Sequence, residues 1–127
     1  MTRDTGHRAS LRHVKLALAR EKGHPDGDPS IGYDIIMPLR EDGRIDPDAW
    51  SRHRADCRVR SFGPHGERIG HLLRKPGGSW VMDDEEGDEE DQKGFRFNDE
   101  IFVPGEYVSI RSGGAMHTFR IVSVEKP

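Results

Sequence analysis

The sequence predicts a mainly β domain: a small antiparallel barrel or sandwich with one short helix at about residues 47–55. Three observations lead to this prediction. Short runs in which apolar and polar residues alternate recur along the chain, which is the period of a half-buried strand. Clusters rich in glycine, proline and aspartate separate these runs, as in β-hairpins. One segment, IDPDAWSRHRADC, instead carries the signals of a helix start.

The chain length of 127 residues fits a single domain spanning 1–127. Residues 1–12 contain several arginines and no apolar core, which predicts a flexible arm and no signal peptide. No run approaches the roughly 20 apolar residues that span a bilayer. The sequence has one cysteine, Cys57, so no disulfide can form within the chain. We therefore predict a cytoplasmic protein that does not enter a membrane.

The first apolar run, HVKLALAREKG, fits two structures. Leu11, Val14 and Leu18 would share one face of a helix, whereas Val14, Leu16 and Leu18 alternate with other residues as in a strand. A turn-rich stretch, GHPDGDPSIG, separates this run from YDIIMPL, which has the composition of a strand. Two such runs around a turn favour a hairpin, although residues 11–22 remain open between strand and helix.

The helix prediction depends on the residues that would begin it, after a turn at EDGR. Asp46 can accept hydrogen bonds from the unpaired amides of the first turn. Pro47 suits the first helical position, and Asp48 complements the positive end of the helix dipole. We expect a short helix that Trp50 docks on the body of the domain.

The remaining runs predict strands joined by tight turns: CRVRSF, RIGHLLR, SWVMD, GFRFND, IFV, YVSIR and MHTFRIVSVE. In the last of these, Phe119 and Ile121 share one parity, while Val122 and Val124 have the other. This change of face predicts a β-bulge or a strand buried on both sides.

Three segments, GYDIIMPLREDGRIDPDAW, CRVR, and FVPGEYVSIR followed by HTFRIVSV, carry a resemblance. The chain resembles a family of small uncharacterised bacterial conserved proteins with no known activity. The resemblance covers most of residues 14–124. It implies a compact bacterial cytoplasmic domain, and it implies no site residue.

Charge is distributed unevenly. Residues 83–91, DDEEGDEED, hold eight of the 23 acidic side chains, which leaves 15 against 20 lysines and arginines. A calcium loop of the EF-hand type needs acidic residues at positions 1, 3 and 5 and glycine at position 6, and neither register that starts at Asp83 or Asp84 fits. We predict an acidic mobile loop at 83–93 on a basic body, with cation binding or contact with a basic surface as alternatives.

The basic body suggests a binding surface made by the helix and its neighbouring strands. Small barrels bind single-stranded nucleic acid with a cationic groove and aromatic platforms, and Trp80 could supply such a platform. The sequence favours a non-enzymatic binding or interaction module that contacts a protein partner or a second copy through this charged surface, with nucleic-acid binding as an alternative. The candidate basic residues are Arg52, Arg54, Arg58, Arg60, Arg74 and Lys75.

Seven histidines raise the possibility of a metal site, but no two are spaced as H-x-H or H-x-x-x-H. His71 and His117 lie within predicted strands and could meet if those strands are neighbours. With Asp83, Asp84 and Asp88 they form the candidate ligands of a metal-dependent enzyme, a further alternative. Cys57 shares a strand face with Val59, which predicts a core thiol. No cofactor is predicted.

Overall fold

The structure is a computed structural model that describes residues 10–21, 23–64, 66–76, 78, 80–84, 95–97, 100–112 and 115–127. Within these residues the chain forms eight strands, one α-helix and one 3-10 turn. The elements are β1 (Leu11–Leu18), β2 (Asp28–Pro38), α1 (Pro47–Arg52), the 3-10 turn (Arg54–Asp56), β3 (Arg58–Gly63), β4 (Gly66–Arg74), β5 (Trp80–Asp84), β6 (Phe95–Phe97), β7 (Tyr107–Ser112) and β8 (Ala115–Glu125). No helix in these ranges is long and apolar enough to cross a membrane.

The strands form a closed antiparallel barrel. Each strand pairs with the next along the chain, and β8 pairs with β1, so the order around the barrel is the order in the sequence. The predicted fold class is therefore confirmed, with the barrel as the correct alternative. Residues 11–18 form a strand, and the predicted hairpin of β1 with β2 is confirmed.

Two predicted segments differ at their boundaries from the observed elements. Strand β1 begins at Leu11, inside the predicted arm at 1–12. Strand β5 extends to Asp84, so the first two residues of the predicted loop at 83–93 belong to a strand. The rest of both predictions, at 1–9 and 85–93, lies outside the described residues.

The barrel interior is filled by the apolar residues that alternate with polar ones along the strands. Side chains from five different strands are completely buried in one cluster, as expected where alternate residues of every strand point inward. They are Leu16, Ile35, Val59, Leu72 and Ile110.

Strand β8 contains the bulge that its change of parity predicted. Lys15 of β1 lies opposite Ser123, but the next residue, Leu16, lies opposite Ile121. Val122 is therefore the extra residue of β8, and its side chain is exposed while Ile121 is buried.

One end of the barrel is closed by helix α1. The Asp46 carboxylate accepts hydrogen bonds from the amides of Asp48 and Ala49, at 3.1 and 3.2 Å, as the sequence predicted. The Trp50 indole nitrogen donates to the Leu72 carbonyl at 2.7 Å in a buried hydrogen bond. The helix ends at Arg52 rather than near residue 55, because the chain tightens into the 3-10 turn.

The segment IFV also belongs to this closed end and is not a strand, so that prediction is wrong. Phe102 is only 2% exposed and its amide donates to the Gly43 carbonyl at 2.8 Å. Ile101 and Val103 remain exposed. This alternation of exposed and buried residues resembles that of a strand, but here it arises because the Phe102 ring fills the end of the barrel.

Gly32 allows β1 and β2 to approach each other, and its substitution tests this packing. A Cβ atom at Gly32 would lie 1.9 Å from the Leu16 carbonyl oxygen, beside the register shift between Ala17 and Leu18. We expect Gly32→Ala to lower the free energy of unfolding by about 1–3 kcal/mol, which is typical of overpacking. Urea denaturation measures this change.

Gly63→Ala is the matched control, because a Cβ there would meet only Ile31 side-chain atoms, the nearest at 3.8 Å. That variant should unfold within about 0.5 kcal/mol of wild type. Equal stability of the two variants would contradict the observed packing of β1 against β2.

Candidate functional site

The end of the barrel opposite helix α1 forms a cavity, which we call the mouth. It is bounded by the last residues of β1 and β3 and the first residues of β2, β4 and β8. The volume of the mouth is about 590 Å³. This value falls within the range of small-molecule sites, which often occupy the mouths of β-barrels.

The floor of the mouth is apolar and ordered by packing. Tyr33 and Phe119 meet edge to face, with ring centroids 5.2 Å apart and an interplanar angle of 71°. Both rings, together with Leu18, belong to the buried core and also line the mouth. A ligand that enters the barrel therefore meets a rigid aromatic surface.

The rim of the mouth carries titratable side chains in fixed positions. The His117 Nδ1 atom lies 3.3 Å from a Glu21 carboxylate oxygen, and both side chains are about a third exposed or less. Glu21 and His24 exchange two backbone hydrogen bonds, at 3.0 and 2.8 Å, which fix the loop between β1 and β2. Ser61 and Arg68 also line the mouth.

Asp28, the first residue of β2, lies next to the same loop. Its carboxylate accepts hydrogen bonds from the Ser30 hydroxyl and amide, at 2.6 and 2.9 Å, and these bonds hold the pKa of Asp28 below its usual value. A second Asp28 oxygen lies 3.8 Å from His24 Nδ1. The mouth thus combines an apolar floor with a rim that offers both hydrogen-bond donors and acceptors.

The predicted basic residues do not share one environment. The positive charge of Arg60 is balanced, because its guanidinium donates hydrogen bonds to both Asp34 and Glu67. The hydrogen bonds to Asp34 raise the pKa of Arg60. His13 contacts Asp34 as well, at 3.2 Å. These four side chains form an ion-pair network on the outer face of the barrel.

The other predicted basic residues lie at the closed end. Arg54 stacks over the Trp50 ring at 5.0 Å, and Arg74 lies over the Trp80 ring at 5.7 Å. Trp80 is only 5% exposed, which leaves little ring surface for a stacked base. Arg52, Arg58 and Lys75 come from the helix and from the adjoining ends of β3 and β4.

The structure brings together only two of the predicted metal ligands that it describes. His71 of β4 lies opposite Asp83 of β5 and Arg58 of β3 in register, whereas His117 lines the mouth from β8. Asp83 and Asp84 end β5, and Asp88 lies outside the described residues. Among the described residues, no three His, Cys, Asp or Glu side chains are grouped to hold a metal ion.

Most residues of the mouth were not found from the sequence. The stretch GHPDGDPSIG predicts only a turn, although it carries His24 and follows Glu21. Tyr33 and Phe119 occupy strand positions that alternate with outward-facing residues, so the sequence places them in the core. It does not show which end of the barrel is open. Only His117 was a candidate, and its partner Glu21 lies 96 residues away in the sequence.

Comparisons with protein-family models, curated proteins and solved structures find no match to this chain.

Cys57 is a buried thiol, as its strand parity predicted. Its Sγ donates to the His53 carbonyl at 3.3 Å, and burial, with a smaller effect of Asp56, raises the pKa of Cys57 to about 12 from 9.0. The folded state thus holds the thiol proton more tightly than the unfolded chain does. This contribution to stability is complete below pH 9 and is lost as the pH rises toward 12.

We therefore expect the free energy of unfolding of the wild type to fall above pH 9 by up to about 1.4 kcal/mol per pH unit relative to Cys57→Ala. Urea denaturation of both proteins across this range measures the difference in slope. Parallel curves would show that the thiol titrates equally in both states, contrary to its burial.

The ion-pair network predicts coupling between Asp34 and Arg60. Asp34→Asn should lower the free energy of unfolding by about 1 kcal/mol, and less at about 0.5 M salt, because screening weakens exposed pairs. Asp26→Asn removes an exposed carboxylate outside the network and should have no measurable effect. A double-mutant cycle with Arg60→Gln that gives zero coupling energy would mean that Arg60 is not held by Asp34.

Proposed function

We propose that this protein is a non-enzymatic binding module that holds a small amphipathic molecule in the mouth of its barrel. The observation that carries this proposal is the difference between the two ends. Trp50 and Phe102 fill one end, while the other retains a cavity of about 590 Å³ with an aromatic floor. The interior itself is filled by side chains, so the mouth is the space in which a small ligand fits, as in other β-barrels.

The chemistry of the mouth defines the ligand class. An aromatic or branched aliphatic body would pack on Leu18, Tyr33 and Phe119, since burial of apolar area drives such binding. A polar head would then lie at the rim, beside the Glu21–His117 pair and near Arg68. This order, apolar inside and polar outside, excludes ligands that are charged along their whole length.

The rim pair also supports binding rather than catalysis. Glu21 fixes the ring position of His117, so the pair can orient the head group of a ligand. Ser61 lines the same cavity, and an activated serine nucleophile requires a hydrogen bond to its base. Among the described residues, no such bond joins Ser61 to His117. A binding module is the function that this geometry supports best.

The test uses anilinonaphthalene sulfonate, a fluorescent probe with an aromatic body and a charged head. We expect one saturable site on the wild type, because the probe matches the floor and the rim. Ser61→Trp, which fills the mouth, should weaken binding at least about tenfold. Ser109→Trp is the matched control, because Ser109 is exposed on the outer face of β7.

Amide chemical shifts locate the probe. Gly32, Gly63 and Gly66 line the mouth and should shift on titration, while Gly43 and Gly105, at the closed end, should not. Equal binding to the two tryptophan variants, or shifts confined to the closed end, would refute a ligand site in the mouth.

The cytoplasmic location and the contact with a protein partner or a second copy remain predictions. A binding role in the mouth requires neither of them, since the cavity is formed within one chain.

A further inference from the structure

Two arginines and two tryptophans form a continuous stack at the closed end of the barrel. The Trp50 and Trp80 rings meet edge to face, with centroids 5.3 Å apart and an interplanar angle of 88°. Arg54 covers Trp50 and Arg74 covers Trp80. Because stacking on aromatic faces restricts a guanidinium, its N–H edges are held at the surface, ready for planar acceptors.

Two further cations lie at the same end of the barrel. Arg58 begins β3 and is exposed, and Lys75 follows the last residue of β4. We call Arg54, Arg58, Arg74 and Lys75 the basic end. Across the residues that the structure describes, none of these four side chains forms an ion pair with a carboxylate, whereas Arg60 binds two.

This contrast indicates which arginines are available to a partner. Arg60 would have to break its bonds to Asp34 and Glu67 before it could bind another anion. Within the described part of the chain the basic end has no such bonds to break, and two of its members, Arg54 and Arg74, are held in place by the tryptophans. Preorganised cations of this kind bind carboxylates with a smaller entropy cost than mobile side chains do.

We propose that the basic end is a docking surface for an acidic segment of a protein partner, independent of the mouth. The planar guanidinium edges suit carboxylates, which they can bind through two parallel hydrogen bonds. The partner is expected to present several aspartate or glutamate side chains in an extended segment, so that neighbouring carboxylates reach Arg54, Arg58 and Arg74.

The low exposure of the two tryptophans favours an acidic peptide over nucleic acid. Single-stranded nucleic acid binds through exposed aromatic platforms, but Trp50 and Trp80 are only 9% and 5% exposed and are covered by the arginines.

The experiment measures fluorescence anisotropy of a labelled nonapeptide, DDEEGDEED, against the full-length protein at about 50 mM salt, where screening is weak. Arg58→Gln/Lys75→Gln removes two charges without touching either tryptophan. We expect the affinity to fall about three- to tenfold, the effect of losing two exposed ion pairs. Arg54→Gln/Arg74→Gln should weaken binding as much and also lower the melting temperature.

Arg111→Gln/Arg120→Gln is the matched control, because it changes the net charge equally on the exposed faces of β7 and β8. Its affinity should stay within about twofold of wild type. An equal loss in this control would show that net charge alone attracts the peptide, and no binding by wild type would also overturn the proposal. The proposal would also be overturned if the wild type bound a single-stranded oligonucleotide of equal charge more tightly than the peptide, and if the Arg58→Gln/Lys75→Gln variant lost that binding.

Discussion

Closure of the sheet through β1 is the constraint on which the rest of the structure depends. Strand β1 pairs with β2 on one side and with β8 on the other. The first and last strands of the sheet therefore have no unpaired edge. Both pairings need a local adjustment. Gly32 has no Cβ atom that would clash with the Leu16 carbonyl, and the bulge at Val122 shifts the register of β8. These adjustments curl the sheet, and only a closed sheet has an interior with two ends.

The two ends then acquire different roles from the segments that connect the strands. The chain between β2 and β3 brings Trp50 over one end, and the chain between β6 and β7 brings Phe102 beside it. At the other end, β3 returns to β4 and β7 returns to β8 through tight turns, which carry too few residues to cover the barrel. These two connections leave the mouth open on their side, and the loop around Glu21 and His24 supplies part of its polar rim, together with His117 of β8.

Local patterns in the sequence predict the strands and the helix well, because each depends on neighbours within a few residues. Asp46 and Pro47 mark the helix start, and alternation marks the strands. The same patterns fail where distant residues decide the outcome. The run IFV alternates like a strand, yet Phe102 fills the barrel end, and this depends on a space that only the closed sheet creates. Likewise, Glu21 and His117 meet across strands from opposite ends of the chain.

The arginines show why a charged surface cannot be read from sequence parity alone. Arg58 and Arg60 occupy equivalent positions in CRVR, and alternation predicts the same outward direction for both. Register separates them, because Arg60 lies opposite Asp34 of β2, whereas the β2 pairing ends before it reaches Arg58. Arg60 thereby ties two strands together, whereas Arg58 forms no ion pair among the described residues. The electrostatic character of this barrel therefore follows from its register, since equal charges become structural or available according to which strand residues they face.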